Sequence, residues 1–262
     1  MERLYGTSRL AGMMAEIDVR KFKDVDLKGG TVFAALPSVG LVSTIAATYM
    51  ISALKMDQIM ALDADDFPPL SMVYGHKPKF PVRVYAAAKE KVACFISEVP
   101  LPPKVHRPLA RQLLEWARAQ GARWIICLEG LPMSQEPGQK QEQGEVWSVW
   151  GVGSTEEANA ALENAGVEFL ETGIVTGVAG VLLNEGRWAK YDVVALLAEA
   201  RAYLPDANAA AKLVQTADQL LPEIKIDLAP LIDEAKALEQ HLQMLKEQAM
   251  PVTTDAPSSL YR

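Results

Sequence analysis

Residues 31–54, TVFAALPSVGLVSTIAATYMISAL, carry no charged side chain and are interrupted once, by Pro37-Ser38-Val39-Gly40. The run before the break, 31–36, is short and rich in β-branched and aromatic residues, which predicts a buried strand. After it, Val42, Ile45, Ala46, Tyr49, Met50, Ala53 and Leu54 recur at helical spacing and give one wide apolar face. Strand, tight loop and helix make the first half of a βαβ unit, whose helix packs back on a sheet covered on both faces. A membrane span needs about 20 unbroken apolar residues. Pro37 and Gly40 cut this run into a strand-length and a helix-length piece, so no membrane partner is expected.

The chain beyond repeats this alternation. Residues 16–22 read as an edge strand, with Ile17 and Val19 alternating against Asp18 and Arg20. Residues 59–62 read as a strand, and 63–69 (DADDFPP) as a loop, because Pro68 and Pro69 lack backbone donors. Residues 70–74 and 81–87 are predicted to pair as a hairpin around Gly75-His76-Lys77-Pro78. Strands follow at 92–97, 124–128, 146–153, 167–170 and 193–198. Helices are expected at 109–120, stopped by Gly121; after Thr155, with Glu156 and Glu157 in the first turn; from the glycines at 173–180 through Leu183; and after Asp206. The implied fold class is α/β, a mostly parallel, mixed sheet flanked by helices. The domain reading is a flexible start at 1–15, a core at 16–222, a helical arm at 223–249 and a disordered tail at 250–262. Residues 134–145, SQEPGQKQEQGE, are the most polar stretch of the body and read as a mobile loop.

Composition narrows the function classes. A net charge of −7 argues against nucleic acid as a partner, since phosphate binding needs a basic patch. Cys94 and Cys127 sit in separate apolar runs and read as small buried hydrophobes, with no further ligand-type residues near them to make a metal site. No cofactor is expected. With no secretory leader apparent in residues 1–10, the expected compartment is the reducing cytoplasm. His76, His106 and His241 lack sequence-evident catalytic partners, so no enzyme is predicted. Gly173, Gly177 and Gly180 could let a backbone approach a phosphate at a helix start. Their GxxxGxxG spacing fits neither dinucleotide nor P-loop patterns, and favours close helix–sheet packing instead. Gly40 in the first loop and Glu129 at a core strand end complete a possible ligand loop, with a solvated strand end as the plainer reading of Glu129.

Toward the C-terminus, Leu228, Leu231, Ala235, Leu238, Leu242 and Leu245 alternate three and four apart, flanked by charges. This is an a/d pattern, equally compatible with a helix on its own domain and with an intersubunit coiled coil that would make a homo-oligomer. Residues 251–259, PVTTDAPSS, have no apolar period, and the chain then closes with Leu260-Tyr261-Arg262. An apolar pair at the tip of a polar tail reads as an anchor that orders on a partner.

In Leu36-Pro37-Ser38-Val39-Gly40-Leu41-Val42, Asp66-Phe67-Pro68-Pro69, Cys127-Leu128-Glu129-Gly130, residues 173–183, the strand end at 196–199 and the helix start at 206–211, the chain resembles the proteasome assembly chaperone family in its archaeal form. The likeness spans roughly residues 17–245. It departs from the family pattern at Ser43, where glycine is expected. The resemblance implies a fold similar to the purine nucleoside phosphorylases without their activity. It also implies homo-oligomers, or hetero-oligomers with a related partner, that hold proteasome 20S α-subunits. The terminal Leu260-Tyr261-Arg262 is similar to the hydrophobic–tyrosine–any-residue tail of proteasome activators, which inserts between neighbouring α-subunits. The function expected is a non-enzymatic assembly chaperone, adaptor or activator. The alternative is a ligand-binding or hydrolytic protein using the 37–42 and 173–180 loops.

Overall fold

The computed structural model describes residues 17–132, 147–202 and 204–221, with the single positions 230 and 244. The expectations for residues 1–15, for the polar loop, for His241, for the leucines of the arm and for Leu260, Tyr261 and Arg262 fall outside these.

The strands are β1 (Asp18–Lys21), β2 (Thr31–Ala35), β3 (Asp57–Asp63), β4 (Met72–Tyr74), β5 (Lys77–Lys79) and β6 (Val82–Ala87). They continue with β7 (Val92–Ser97), β8 (Trp124–Pro132), β9 (Val149–Gly153), β10 (Glu168–Phe169) and β11 (Asp192–Ala200). The helices are α1 (Val42–Ala53), α2 (Pro103–Ala119), α3 (Glu156–Asn164), α4 (Gly177–Ala189) and α5 (Ala207–Gln219). Nine strands form one sheet in the order β1-β3-β6-β7-β2-β8-β11-β9-β10.

The opening run behaves as its composition requires. Every residue of β2 is buried, and the strand lies parallel to β7 on one side and β8 on the other. Alternate side chains serve opposite faces. Phe33 and Ala35 join a core under α1, α3 and α5, whereas Val32 and Ala34 join one under α2 and α4. The architecture is therefore helix, sheet, helix in three layers. Cys94 and Cys127 are free and buried, one in each core, so the sheet separates them.

Two expectations need correction. The sheet is mixed, but not mostly parallel: four pairings are parallel (β7 with β2, β2 with β8, β8 with β11, β9 with β10). The other four are antiparallel. The predicted hairpin of 70–74 with 81–87 does not form either. β4 pairs with β5 across Gly75 and His76, and β6 goes to the main sheet between β3 and β7. The reason is burial. β6 is largely buried on both faces and gains more between two strands of the core, while β5 (Lys-Pro-Lys) suits an exposed two-stranded ribbon. Three elements also outrun their predicted limits. α2 begins at Pro103, where the missing N–H costs nothing; β8 extends to Pro132; and α4 runs to Ala189.

Candidate functional site

The chain leaves β2 toward β3, β6 and β7 on one side and reaches β8 only later, on the other. At such a switch of direction the C-terminal ends of parallel strands diverge into a crevice. β2 loses its pairing with β8 at Ala34 opposite Cys127, while β8 continues against β11 through Glu129 and Gly130. The space above the end of β2 is a cleft of about 570 Å³, lined by the 36–39 loop, Glu129, Gly130, Pro100, Leu101 and the first residues of α2 and α4.

The loop that forms one wall is held by hydroxyls. Ser38 Oγ accepts from the Gly130 N–H at 3.1 Å and the Ser43 N–H at 3.4 Å, and shares a short hydrogen bond with Ser43 Oγ. Ser43 is fully buried, and its hydroxyl takes part in holding this loop. Gly130 permits the approach: a Cβ there would lie 2.2 Å from the Val39 carbonyl oxygen. The chain then turns through positive φ at Gly40 and again at Leu41, and enters α1.

Glu129 stands on the α2 and α4 face of β8, the face that Cys127 also serves. It is half-buried and takes no hydrogen bond or ion pair from any described residue. Burial pushes its carboxyl up to about 8, so at neutral pH it is mostly protonated. The walls brought up by α2 and α4 partly cover this carboxyl at the strand end. His106 of α2 lines the same cleft with Nε2 3.1 Å from the Leu101 carbonyl oxygen. His76 sits instead in the turn of the small hairpin at φ 64°.

The expected ligand loop comes together only in part. Glu129 and Gly177 line the cleft; Gly40, Gly173 and Gly180 do not. Gly40 is wedged beneath Ala200 and Arg201 and accepts the Asp206 N–H at 2.9 Å. Gly173 is exposed, and Gly180 lies against the Val175 carbonyl oxygen, 2.2 Å from where its Cβ would be. Close helix–sheet packing belongs to Gly186, whose Cβ would fall 2.5 Å from Val193 Cγ2. Sequence reasoning named the 37–42 and 173–180 loops without singling out Ser38 or Thr176 and missed Gly186, because their roles depend on segments that meet only in the fold.

Among the described residues no cluster of three or more His, Cys, Asp or Glu side chains could hold a metal ion. None of the described helices is long and apolar enough to cross a membrane.

The sequence model of the PAC2 family matches residues 32–246. The chain belongs to the PAC2 family. Its fold is similar to that of PbaA from Pyrococcus furiosus, an archaeal homologue of proteasome-assembly chaperone. That match has a TM-score of 0.77 and 29% identity, covering 89% of this chain and 98% of PbaA. Pyrococcus furiosus PbaB, an archaeal proteasome activator, shares the fold with a TM-score of 0.71 and 24% identity over 88% of this chain and 99% of PbaB. A Methanocaldococcus jannaschii protein, MJ0106, is 27% identical over 235 residues, 88% of this chain and 93% of its own length. The PAC2 match takes in the sheet from β2 onward, both walls of the cleft and the leucines at 228–245.

Proposed function

We propose that this PAC2-family protein is a non-enzymatic proteasome assembly chaperone, adaptor or activator. It is cytoplasmic and docks its Leu260-Tyr261-Arg262 tail into pockets of the 20S α-ring. The observation that carries the reading is the likeness to PbaA over nearly the whole of both chains. The tail supports it from residues that this likeness does not depend on. In this reading Leu260 fills an apolar pocket, Tyr261 stacks and donates its hydroxyl, and the terminal carboxylate pairs with a cation. The row from Leu228 to Leu245 joins copies into a homo-oligomer, or pairs with a related chain, and so presents several tails at once. Single tails bind weakly because they lose entropy on ordering; several on one assembly gain effective concentration. The phosphorylase-like fold that the resemblance implies then supplies a scaffold and no reaction.

The test is a pull-down of 20S α-subunits with the intact chain and with a chain lacking its last three residues. Retention by the first and loss by the second is the expected result. Equal retention removes the tail from the mechanism, and retention by neither removes the proteasome reading.

A further inference from the structure

We propose that the cleft between the ends of β2 and β8 is a binding site for a small zwitterion, a free α-amino acid or short peptide with an apolar side chain. This site is separate from the tail and does not depend on the proteasome reading.

Three features of the cleft define the ligand. The first is Glu129, a half-buried carboxyl group that lines the cleft and has no hydrogen-bond or ion-pair partner among the described residues. No described lysine or arginine lines the cleft. Desolvating an acid without a hydrogen-bonded counter-charge costs stability, and a ligand ammonium supplies the missing partner. The second is the start of α4. The first N–H groups of a helix have no intrahelical acceptor, and Thr176, in the N-cap position, makes no side-chain cap. Gly177 and Val178 line the cleft, and a Cβ on Gly177 would meet nothing within 4 Å, so the space above them is open. Such a helix end favours a carboxylate. The third is the wall: Leu36, Val39, Leu101 and neighbouring prolines offer an apolar surface for a side chain.

Together these favour a ligand that carries two charges. A plain anion would satisfy the helix end and accept from a protonated Glu129, but it brings no counter-charge for the ionised carboxylate. A plain cation would satisfy Glu129 but meet the positive ends of α2 and α4. A molecule carrying both charges completes both, and about 570 Å³ is in the range of small-molecule sites. Pairing with an ammonium makes Glu129 ionise, so its proton passes to solvent as the ligand binds. Among the described residues, the other titratable side chain at the cleft is His106, on α2. Cys127 lies below on β8, its thiol pushed up by burial; the 36–39 loop and the start of α4 contribute none.

The experiment is titration calorimetry of the intact chain at pH 7, in two buffers of different ionisation enthalpy. The probes are L-leucine, L-leucyl-L-leucine, N-acetyl-L-leucine and L-leucinamide. Saturable binding of at least one zwitterion is expected, with the free amino acid and the dipeptide distinguishing the length accommodated. The acetylated and amidated probes, each lacking one charge, should bind at least about ten-fold more weakly. A carboxyl held at about 8 should release roughly nine-tenths of a proton per ligand. Glu129→Gln should abolish that release and weaken binding about ten-fold or more. Thr176→Trp, which fills the cleft from an exposed rim position, should lose binding as well and stands in if the first variant does not fold. The proposal is overturned if neither zwitterion binds at ~10 mM, if the singly charged probes bind as well, or if both variants bind like the parent.

Discussion

Ser38 is the residue on which the cleft wall turns, because one hydroxyl answers two backbone N–H groups and a second hydroxyl. Ser38→Ala leaves the Gly130 N–H and the buried Ser43 hydroxyl without their partner. It should cost about 1–3 kcal/mol in urea denaturation. Glu129 gives a signature in pH. Its folded value, about 8, lies above the ordinary 4.5, so its contribution to stability is complete below about 4.5 and is lost as pH rises through 8. Glu129→Gln should flatten that decline, so melting temperatures of mutant and parent should diverge between those limits; parallel profiles would refute the desolvated carboxyl. Asp206 has the opposite sign. Burial would raise it, but the Arg201 side chain and the N–H groups of Ala209 and Arg201 together hold it below the usual carboxylate range. Its stabilisation is present above the ordinary value and fades as pH falls through the lowered one. At this scale the sequence was legible where the partner is local, as in the capping of α3 by Thr155 and of α5 by Asp206. It named Glu129 as a possible ligand group but not its covering, which depends on the start of α4 arriving from a remote part of the chain.

Among the elements, the small hairpin of β4 and β5 is fastened to the sheet by a buried charge. Arg83 of β6 pairs with Glu98 just beyond β7, donates to the Phe80 carbonyl at 3.0 Å, and lies 5.7 and 5.8 Å from the ring centres of Tyr74 and Tyr85. Both partners of the pair are almost fully buried. Arg83→Met should therefore destabilise by about 3–5 kcal/mol, since it strands Glu98, and Arg83→Met with Glu98→Leu should recover much of the loss. A double variant no better than the single one would show that the pair is not the fastening. The same region shows why pairing was harder to read than strand identity. The run at 82–87, rich in Val and Tyr, announces a strand, but its partners β3 and β7 are chosen by burial across the sheet. The arm carries its own prediction. Leu238→Asp places an unpartnered charge in the leucine row, and sedimentation should show smaller species than the parent. Unchanged mass and stability would leave the row with no part in assembly.

For the whole molecule, the proposed function requires that core and tail be separable. Tyr261→Ala, or one residue appended after Arg262, should abolish α-ring binding in surface plasmon resonance while the oligomer stays intact. Arg262→Ala should change little, because the position supplies a carboxylate whatever its side chain. The linker of nine residues at 251–259 spans at most about 30 Å when extended, enough to search a neighbouring surface. The strand order has a further consequence, for synthesis on the ribosome. β2 and β8 are complete by Pro132, yet β11, which covers the other edge of β8, begins at Asp192. At about 5–20 residues per second, that edge waits bare for on the order of several seconds in the nascent chain. Its backbone donors and acceptors are open to any strand nearby for that interval. The C-terminal third of the chain thus ends the interval in which newborn copies are most exposed to one another.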